Sequence, residues 1–311
     1  MINSVEPGLD FPRFSLGTAQ FGIPSYGIAN RVGQPPYAAI REIVKRAFES
    51  GPVGLDTAAE YGESEGLLGQ ILEELQLKQV AFVCSKISHL EATKDGSFVR
   101  NSVIRSLRRL RLETLPLCLF HRAEQLGHID ALVSLKKEGL IQHAGVSVYT
   151  PEQAMQAIET PGIDAIQHPL SLLDQRLVRS GVLQRAKSKG IAIFVRSVYL
   201  QGLLLLPEEG VPERLTAVKL VRRRLERSAE ALAMSLPELA LRFAASLEGV
   251  TGVVVGLETR EQLESNLAML AKGNLAEEAV KEISSIVPDL PDAILLPNLW
   301  GQLESWKISL N

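Results

Sequence analysis

The chain repeats one pattern along most of its length, in which a short apolar run is followed by an amphipathic helical stretch. Strands that alternate with helices are typical of βαβ units, which build parallel sheets. This repeated unit restricts the chain to a small set of α/β folds. Eight apolar runs are strand candidates: Phe14–Gly17, Val53–Asp56, Val80–Ser85, Leu117–Phe120, Gln142–Val146, Ala165–Gln167, Ile191–Val195 and Gly252–Val255.

Helical stretches separate these runs, and several of them carry start and stop signals. Thr150-Pro151 is a helix start, and Gly139 and Gly190 are typical of helix ends. The predicted helices are Tyr37–Ser50, Ser64–Leu75, Phe98–Arg111, Ile129–Glu138, Pro151–Ile158, Val182–Lys189, two within residues 212–247, and one that begins at Glu261.

Two folds fit eight βα units, a closed (β/α)8 barrel (the TIM barrel) and an open doubly wound sheet. Even spacing of the units favours the barrel. An open sheet would bind a dinucleotide through a G-x-G-x-x-G turn, and no G-x-G occurs among the 24 glycines. We therefore expect an eight-stranded parallel barrel.

Domain organisation follows from the same regularity. No break in composition divides the chain, so the sequence predicts a single barrel domain over residues 1–311. The last part, from about residue 274, contains a helical stretch at Ala276–Ile286 and a proline-rich loop. We expect it to form a C-terminal cap segment over the barrel or its mouth.

Charge and composition limit the partners of the protein. The net charge is −3 and the isoelectric point is about 6.0, whereas a nucleic-acid-binding domain is normally basic. No apolar run is long enough to span a bilayer, and the first residues do not resemble a signal peptide. Cys84 and Cys118 form no C-x-x-C pair, which argues against a disulfide framework or a zinc site. We expect a cytoplasmic enzyme with a small-molecule substrate and no nucleic-acid or membrane partner, either a monomer or a small homo-oligomer.

Four polar residues follow three successive strand candidates. Asp56 ends the second strand and Tyr61 comes shortly after it, Lys86 follows the third, and His121 follows the fourth. Three of them have a structural explanation on their own: Asp56 as a helix cap, Lys86 as a rim charge, and His121 as a histidine satisfied within the core. Active sites of (β/α)8 barrels lie at the C-terminal ends of the strands, so the four together favour a catalytic site.

These residue types suit proton transfer coupled to hydride transfer. A tyrosine hydroxyl can protonate a carbonyl oxygen, and a lysine ammonium stabilises the phenolate that remains. Asp56 would hold Lys86 in an ion pair, and a neutral His121 would orient the carbonyl oxygen by a hydrogen bond. A metal site is the alternative, but scattered histidines and one aspartate lack ligand-like spacing, so we expect no metal.

Several segments resemble the aldo-keto reductase superfamily along almost the whole chain. Residues 14–22 resemble its first barrel strand. Asp-Thr-Ala-Ala-Glu-Tyr-Gly at 56–62, Ser-Lys-Ile at 85–87 and Phe-His-Arg at 120–122 resemble its three catalytic segments. The resemblance implies a catalytic tetrad of Asp56, Tyr61, Lys86 and His121, and an NAD(P)H-dependent reduction of an aldehyde or ketone with Tyr61 as general acid.

The resemblance extends to the nicotinamide-binding segments. Gly-Val-Ser at 145–147 and Gln167 resemble the residues that hold the nicotinamide amide, although Val148 replaces the usual asparagine. Arg196 stands where the family has a tyrosine that stacks on the ring. A guanidinium can also stack, but Arg196 can equally be a rim salt-bridge partner. The implied cofactor contacts are Gly17, Thr18, Asp56, Ser147, Gln167, Arg196, Ser197, Tyr199, Gln201, Gly256, Thr259, Arg260, Gln262 and Asn266.

Residues 256–266 resemble the segment that holds the adenosine end of the cofactor. The usual lysine is missing, Gln262 replaces the usual arginine, and Glu258 adds a negative charge. Arg260 can compensate for these losses, and NADP(H) is the usual cofactor of the superfamily. We therefore favour NADP(H) with a modest preference, and NAD(H) stays open.

The substrate is suggested only at the level of a subgroup. Residues 16–22, 26–30 and 197–205 resemble bacterial members associated with surface-polysaccharide and sugar metabolism, which implies a sugar-like carbonyl. His89 lies just past the third strand and could line the substrate mouth, but a loop histidine without a role is the simpler interpretation. Two other functions remain open: a regulatory subunit that binds the cofactor and senses redox state with little turnover, and a metal-dependent barrel enzyme.

Overall fold

A computed structural model of the protein describes residues 11–30, 33–88 and 96–302. Eight parallel strands follow one another around a closed barrel, and β8 pairs with β1 to close it. This confirms the (β/α)8 fold predicted from the alternation. The strands are β1 Phe14–Gly17, β2 Gly54–Asp56, β3 Phe82–Ile87, β4 Leu115–Phe120, β5 Ile141–Ser147, β6 Ala165–Pro169, β7 Ala192–Arg196 and β8 Gly252–Gly256.

Helices connect the strands, and short 3₁₀ segments occur at Ala123–His128, Glu208–Gly210, Glu213–Leu215 and Pro297–Gln302. The α-helices are α1 Ala19–Gly22, α2 Tyr37–Glu49, α3 Ser64–Glu74, α4 Ser97–Leu110, α5 Ile129–Lys137, α6 Pro151–Ile158, α7 Arg176–Arg179, α8 Val182–Lys189, α9 Val218–Ala231, α10 Leu236–Ser246, α11 Arg260–Ala271, α12 Glu277–Ile286 and α13 Asp292–Leu295.

Strand ends differ from the sequence prediction where a neighbouring strand extends the pairing. The predicted strand Val80–Ser85 is shifted by two residues, because Val80 lies in a turn in which its N–H donates to Leu77 O at 3.1 Å. At the other end, Lys86 pairs with Leu119 and lengthens β3. Parallel pairing, which the sequence of one strand does not reveal, sets these ends.

The C-terminal segment packs along the outside of the barrel. Helix α12 contacts α9, and Arg176 Nη1 of α7 donates to Asp292 Oδ1 of α13 at 2.8 Å. Trp300 is buried, and its indole N–H donates to Ile294 O at 2.9 Å. The segment expected to cap the barrel or its mouth therefore packs against α7, which follows β6 in the chain, and α9, which follows β7.

The inside of the barrel has its own apolar cluster, separate from the core between strands and helices. Its members are Phe11, Cys84, Leu117, Leu119, Ala165, Ala192, Phe194 and Val254, with Phe82 packed against them. Successive side chains of a strand face opposite sides. The residues two positions further along, at the C-terminal ends of these strands, therefore face the barrel axis above this cluster.

Candidate active site

The alternation of side chains along each strand places predicted site residues from five strands at one end of the barrel, facing its axis. Lys86 follows inward-facing Cys84 by two residues, and His121 follows Leu119 in the same way. Gln167, Arg196 and Gly256 stand in the same relation to the cluster residues Ala165, Phe194 and Val254. Strand alternation alone thus brings them to the C-terminal mouth of the barrel.

A buried ion pair lies at the base of this mouth. Lys86 Nζ donates to Asp56 Oδ1 at 2.6 Å and to Thr57 O at 2.9 Å, and the two side chains are only 1% and 5% exposed. Burial alone would lower the pKa of Lys86, but the negative charge of Asp56 raises it above its usual value. Lys86 is therefore a fixed cation in a dry environment.

Tyr61 lies above this pair, in the turn that follows β2. Its backbone N–H donates to Ala58 O at 3.0 Å, and Gly22 packs so closely that a Cβ there would lie 1.8 Å from Tyr61 O. Lys86 Nζ is 5.3 Å from the centre of the phenol ring. Burial raises the pKa of Tyr61 and the Lys86 charge opposes that rise, so the hydroxyl keeps its proton at neutral pH.

His121 packs beside the same ring and next to a carboxylate. The ring centroids of Tyr61 and His121 are 5.9 Å apart at 77°, and His121 Nδ1 lies 3.2 Å from Glu60 Oε2. Burial lowers the pKa of His121, while the contact with Glu60 opposes that change.

Gln167 ties the second oxygen of Asp56 to the neighbouring strand. Its Nε2 donates to Asp56 Oδ2 at 2.6 Å, which turns its Oε1 away from the carboxylate. Among the described residues, this buried Oε1 has no hydrogen-bond partner, and neither does Oε1 of Gln20. Ser147 pairs in register with Gln167 and is also buried.

The Arg196 side chain contacts the loop that follows β5. Its guanidinium carbon lies 4.6 Å from the centre of the Tyr149 ring, and its Nη2 donates to Val148 O at 3.2 Å. The sequence offered two partners for Arg196, a cofactor ring or an acidic side chain. Here its aromatic partner is Tyr149, and it also borders the pocket.

A pocket of about 750 Å³ opens beside these residues. Asp56, Tyr61 and Arg196 border it, whereas Lys86, His121, Ser147 and Gln167 do not. We call the part bordered by Asp56, Tyr61, Tyr26 and Arg196 the near end of the pocket. The far end is the part bordered by the loop after β8 and by α11, namely Glu258, Glu261, Gln262, Ser265, Asn266 and Met269. Gly17, Thr18, Ser197, Tyr199, Gln201 and Gly256 also border the pocket.

The chain belongs to the aldo/keto reductase family. A model of that family matches residues 13–288, which include the barrel and every predicted site residue.

Characterised aldo-keto reductases resemble this chain over most of their length. L-glyceraldehyde 3-phosphate reductase of Escherichia coli O157:H7 is 25% identical, with 98% of this chain and 94% of that protein covered. L-galactose dehydrogenase of Arabidopsis thaliana is 26% identical over 78% of this chain and 82% of its own. The holo form of aldo-keto reductase AKR11C1 from Bacillus halodurans shares the fold, with a TM-score of 0.75, 22% identity and coverage of 91% and 95%.

The family assignment makes this protein an NAD(P)-dependent oxidoreductase. A nicotinamide cofactor would also supply a hydrogen-bond donor to the buried Oε1 of Gln167. Gln167 Oε1 is a buried acceptor without a donor in the described part of the chain, and a nicotinamide carboxamide carries an N–H donor. Gly17 and Gly256 face each other across β1 and β8, where a Cβ on Gly17 would lie 3.1 Å from Gly256 N. The residues present therefore fit a nicotinamide dinucleotide.

The far end of the pocket differs from the sequence expectation at Arg260. Arg260 does not border the pocket; its side chain is 51% exposed and its Nε donates to Glu264 Oε1 at 3.0 Å. Thr259 caps α11 by accepting from Gln262 N, and Gln262 Oε1 accepts from Glu258 N at 2.7 Å. Asn266 Oδ1 accepts from Tyr199 Oη at 2.9 Å.

Sequence reasoning missed much of the pocket lining, including the polar residues Tyr26, Gln20 and Glu261. Tyr26 lies in the loop after β1, and Gln20 and Glu261 begin helices. None follows a strand end directly, so the pattern of polar residues at strand ends does not include them. His89 lies outside the described residues.

The described part of the chain contains neither a membrane span nor a metal-binding cluster. No helix there is long and apolar enough to cross a membrane. Within those same ranges, no group of three or more His, Cys, Asp or Glu side chains is placed to hold a metal.

Proposed function

We propose that this aldo-keto reductase reduces a sugar-like aldehyde or ketone to an alcohol, with Tyr61 as the general acid. The observation that carries the proposal is the dry Asp56–Lys86 ion pair beneath Tyr61, at the end of a pocket of about 750 Å³. A protonated phenol held over a buried cation at a pocket wall is suited to donate its proton to a bound carbonyl. A bound reduced nicotinamide dinucleotide supplies the hydride.

The proton moves from Tyr61 to the substrate oxygen as that oxygen gains negative charge. The phenolate that remains is stabilised by the Lys86 ammonium, 5.3 Å from the ring centre. Asp56 holds Lys86 in place and, through its second oxygen, holds the Gln167 amide. Gln167, with Ser147 beside it, would hold the nicotinamide amide and so place the transferred hydride near Tyr61.

A sugar-like substrate is supported by the polar near end of the pocket and by the relatives. Tyr26, Tyr61 and Arg196 offer hydroxyl and guanidinium donors to a polyhydroxylated carbonyl. Two of the similar proteins are named for L-glyceraldehyde 3-phosphate and L-galactose. We also propose that the chain acts as one domain, in the cytoplasm, as a monomer or a small homo-oligomer.

The choice between NAD(H) and NADP(H) is decided at the far end of the pocket. A nicotinamide next to Tyr61 directs the rest of the dinucleotide toward Glu258 and Asn266. The preference for NADP(H) predicted from the sequence was based on the usual cofactor of the superfamily and on Arg260, and Arg260 pairs with Glu264 outside the pocket. Glu258 and Glu261 border the pocket instead. A carboxylate accepts a hydrogen bond from a ribose hydroxyl and repels a phosphate, so we infer that NADH binds at least as tightly as NADPH.

A screen of aldehydes, ketones and sugars, followed by nicotinamide absorbance with both cofactors, tests the proposal. We expect turnover with at least one short hydroxylated aldehyde, and the reverse reaction with its alcohol. Cofactor binding without any turnover would instead support the regulatory, redox-sensing alternative. Loss of activity on treatment with a chelator would support the metal-dependent one.

A further inference from the structure

A second carboxylate, Glu60, lies immediately before Tyr61 and contacts the imidazole of His121. Glu60 Oε2 is 3.2 Å from His121 Nδ1, and the His121 and Glu60 side chains are 14% and 20% exposed. The other carboxylate oxygen, Oε1, accepts a hydrogen bond from Ser88 Oγ at 2.7 Å. Glu60 is therefore held from one side while it faces the histidine on the other.

The surroundings of Glu60 connect the loops that follow β2, β3 and β4. Ser88 directly follows β3, and its carbonyl oxygen accepts from Gln125 Nε2 at 3.3 Å. Gln125 Oε1 in turn accepts from the backbone N–H of Arg122, the residue after His121. This chain of hydrogen bonds connects the Glu60 carboxylate to the loop that follows His121.

We propose that Glu60 is a positioning residue that keeps a proton on His121 Nδ1, so that Nε2 is the nitrogen that meets the substrate oxygen. The inference rests on the proposed function and deepens it. An ionised carboxylate has only lone pairs to offer, so the nitrogen that faces it must carry the hydrogen. A neutral His121 with its hydrogen on Nε2 would instead turn a lone pair toward Glu60.

This arrangement makes the role of His121 depend on its charge. Neutral His121 has a bare Nε2, which accepts a hydrogen bond from an alcohol hydroxyl and suits oxidation. Protonated His121 carries a hydrogen on both nitrogens and donates from Nε2 to a carbonyl oxygen, which suits reduction. The neutral donor expected from the sequence would require Glu60 to be protonated.

The groups around His121 act on its charge in opposite directions. Burial has the largest influence and lowers the pKa of His121, and the Lys86 and Arg196 charges lower it further. Glu60 opposes all three, and the phenol of Tyr61 packs against the ring as a neutral neighbour. Removing the Glu60 charge should therefore make His121 harder to protonate.

Histidine NMR of the cofactor-free protein tests this without turnover. The chain has only five histidines, and His121→Asn identifies the signal of His121 by its loss. We expect neutral His121 in the wild-type protein to carry its hydrogen on Nδ1. Glu60→Gln should lower the titration midpoint by on the order of one pH unit, the shift typical of losing a nearby opposite charge. Glu60→Leu, which removes the acceptor, should abolish the Nδ1–H preference.

Glu63→Gln is the matched control, because it removes one negative charge from the same loop at an exposed side chain. It should leave both the midpoint and the tautomer of His121 unchanged. A wild-type His121 with its hydrogen on Nε2 would overturn the proposal. So would a midpoint in Glu60→Gln that matches the control.

Rates in both directions supply the second readout. In the wild-type protein, reduction should fall as pH rises through the His121 midpoint, and oxidation should rise. Glu60→Gln should shift the pH profiles of both reactions to lower pH. The ratio of the reduction rate to the oxidation rate at a fixed pH should therefore fall by about tenfold. If the NMR result holds but no carbonyl compound is turned over, the proposed function fails and the tautomer assignment stands. If Glu60→Gln turns over normally and both of its pH profiles match the wild type, the proposed role of Glu60 is wrong.

Discussion

The two ends of the pocket are built in different ways. At the near end, Asp56 and Lys86 are almost fully buried, and both oxygens of Asp56 accept a bond from a side chain on another strand. Next to the far end but outside the pocket, Arg260 is half exposed and pairs with Glu264, which also accepts from Arg46 Nε at 3.2 Å. Residues on strands are directed by the barrel itself, whereas residues at the start of α11 are directed by whichever neighbours lie within reach.

This difference predicts different consequences for substitutions. Changes at the near end should act on the rate of the chemical step, because the groups there touch the reacting oxygen or hold those that do. Changes at the far end should act on cofactor affinity and discrimination and leave the chemical step unchanged. Four predictions in order of decreasing size test this division.

The largest effect is expected from Tyr61→Phe. Loss of the general acid should lower kcat for carbonyl reduction by at least ~10²-fold, the lower range of a positioned proton transfer, while the cofactor Kd stays within a factor of about two. Steady-state rates and fluorescence titration measure the two quantities. Tyr26→Phe, which removes another hydroxyl at the same end, should cost less than about tenfold. Equal losses in both variants would contradict the assignment of Tyr61.

Lys86→Met should be nearly as damaging, with a change in pH dependence. Without the ammonium the pKa of Tyr61 rises further, so alcohol oxidation, which needs the phenolate, should begin only at higher pH. The variant also leaves Asp56 buried without its cation, which costs about 3–5 kcal/mol of stability. The double variant Asp56→Asn/Lys86→Met should regain much of that stability in denaturant unfolding without regaining activity. An active double variant would show that the ion pair is structural only.

Glu258→Gln tests the far end. Removing the carboxylate should tighten NADPH by on the order of tenfold, the value of one charged interaction. NADH binding should change less, because the amide oxygen of Gln can still accept from the ribose hydroxyl. Calorimetric titration with both reduced cofactors measures this ratio, and kcat at saturating cofactor should not change. An unchanged ratio would mean that the 2′ position of the adenosine ribose lies away from Glu258.

The smallest effect is expected from Arg260→Ala. Because Arg260 pairs with Glu264 away from the pocket, both cofactor dissociation constants should stay within about twofold, as expected for an exposed ion pair. A loss of NADPH affinity of tenfold or more, seen in the same titration, would restore Arg260 as a phosphate contact. It would also favour NADP(H) as the cofactor, the choice the sequence favoured.

Much of the near end follows from the amino-acid sequence. Asp56, Lys86, His121 and Gln167 each stand at or just past the end of an apolar run, and the alternation of side chains along a strand directs them toward the barrel axis. The eight-stranded barrel was confirmed for the same reason, since the spacing of strands and helices leaves few ways to bury their apolar faces. Family resemblance added chemical roles, which stay predictions until turnover is measured.

Other parts were decided only by tertiary contacts. Arg260 was expected to face a phosphate, but a flexible guanidinium turns to the nearest carboxylate, and Glu264 lies one helical turn away. The contact between Glu60 and His121 joins residues far apart in the chain, and neither local propensity nor strand periodicity encodes such a pair. The sequence by itself determined which residues face the barrel axis, because that follows from a local repeat of two. Tertiary structure decided which charges neutralise each other, because a long side chain selects its partner by distance in space and not along the chain.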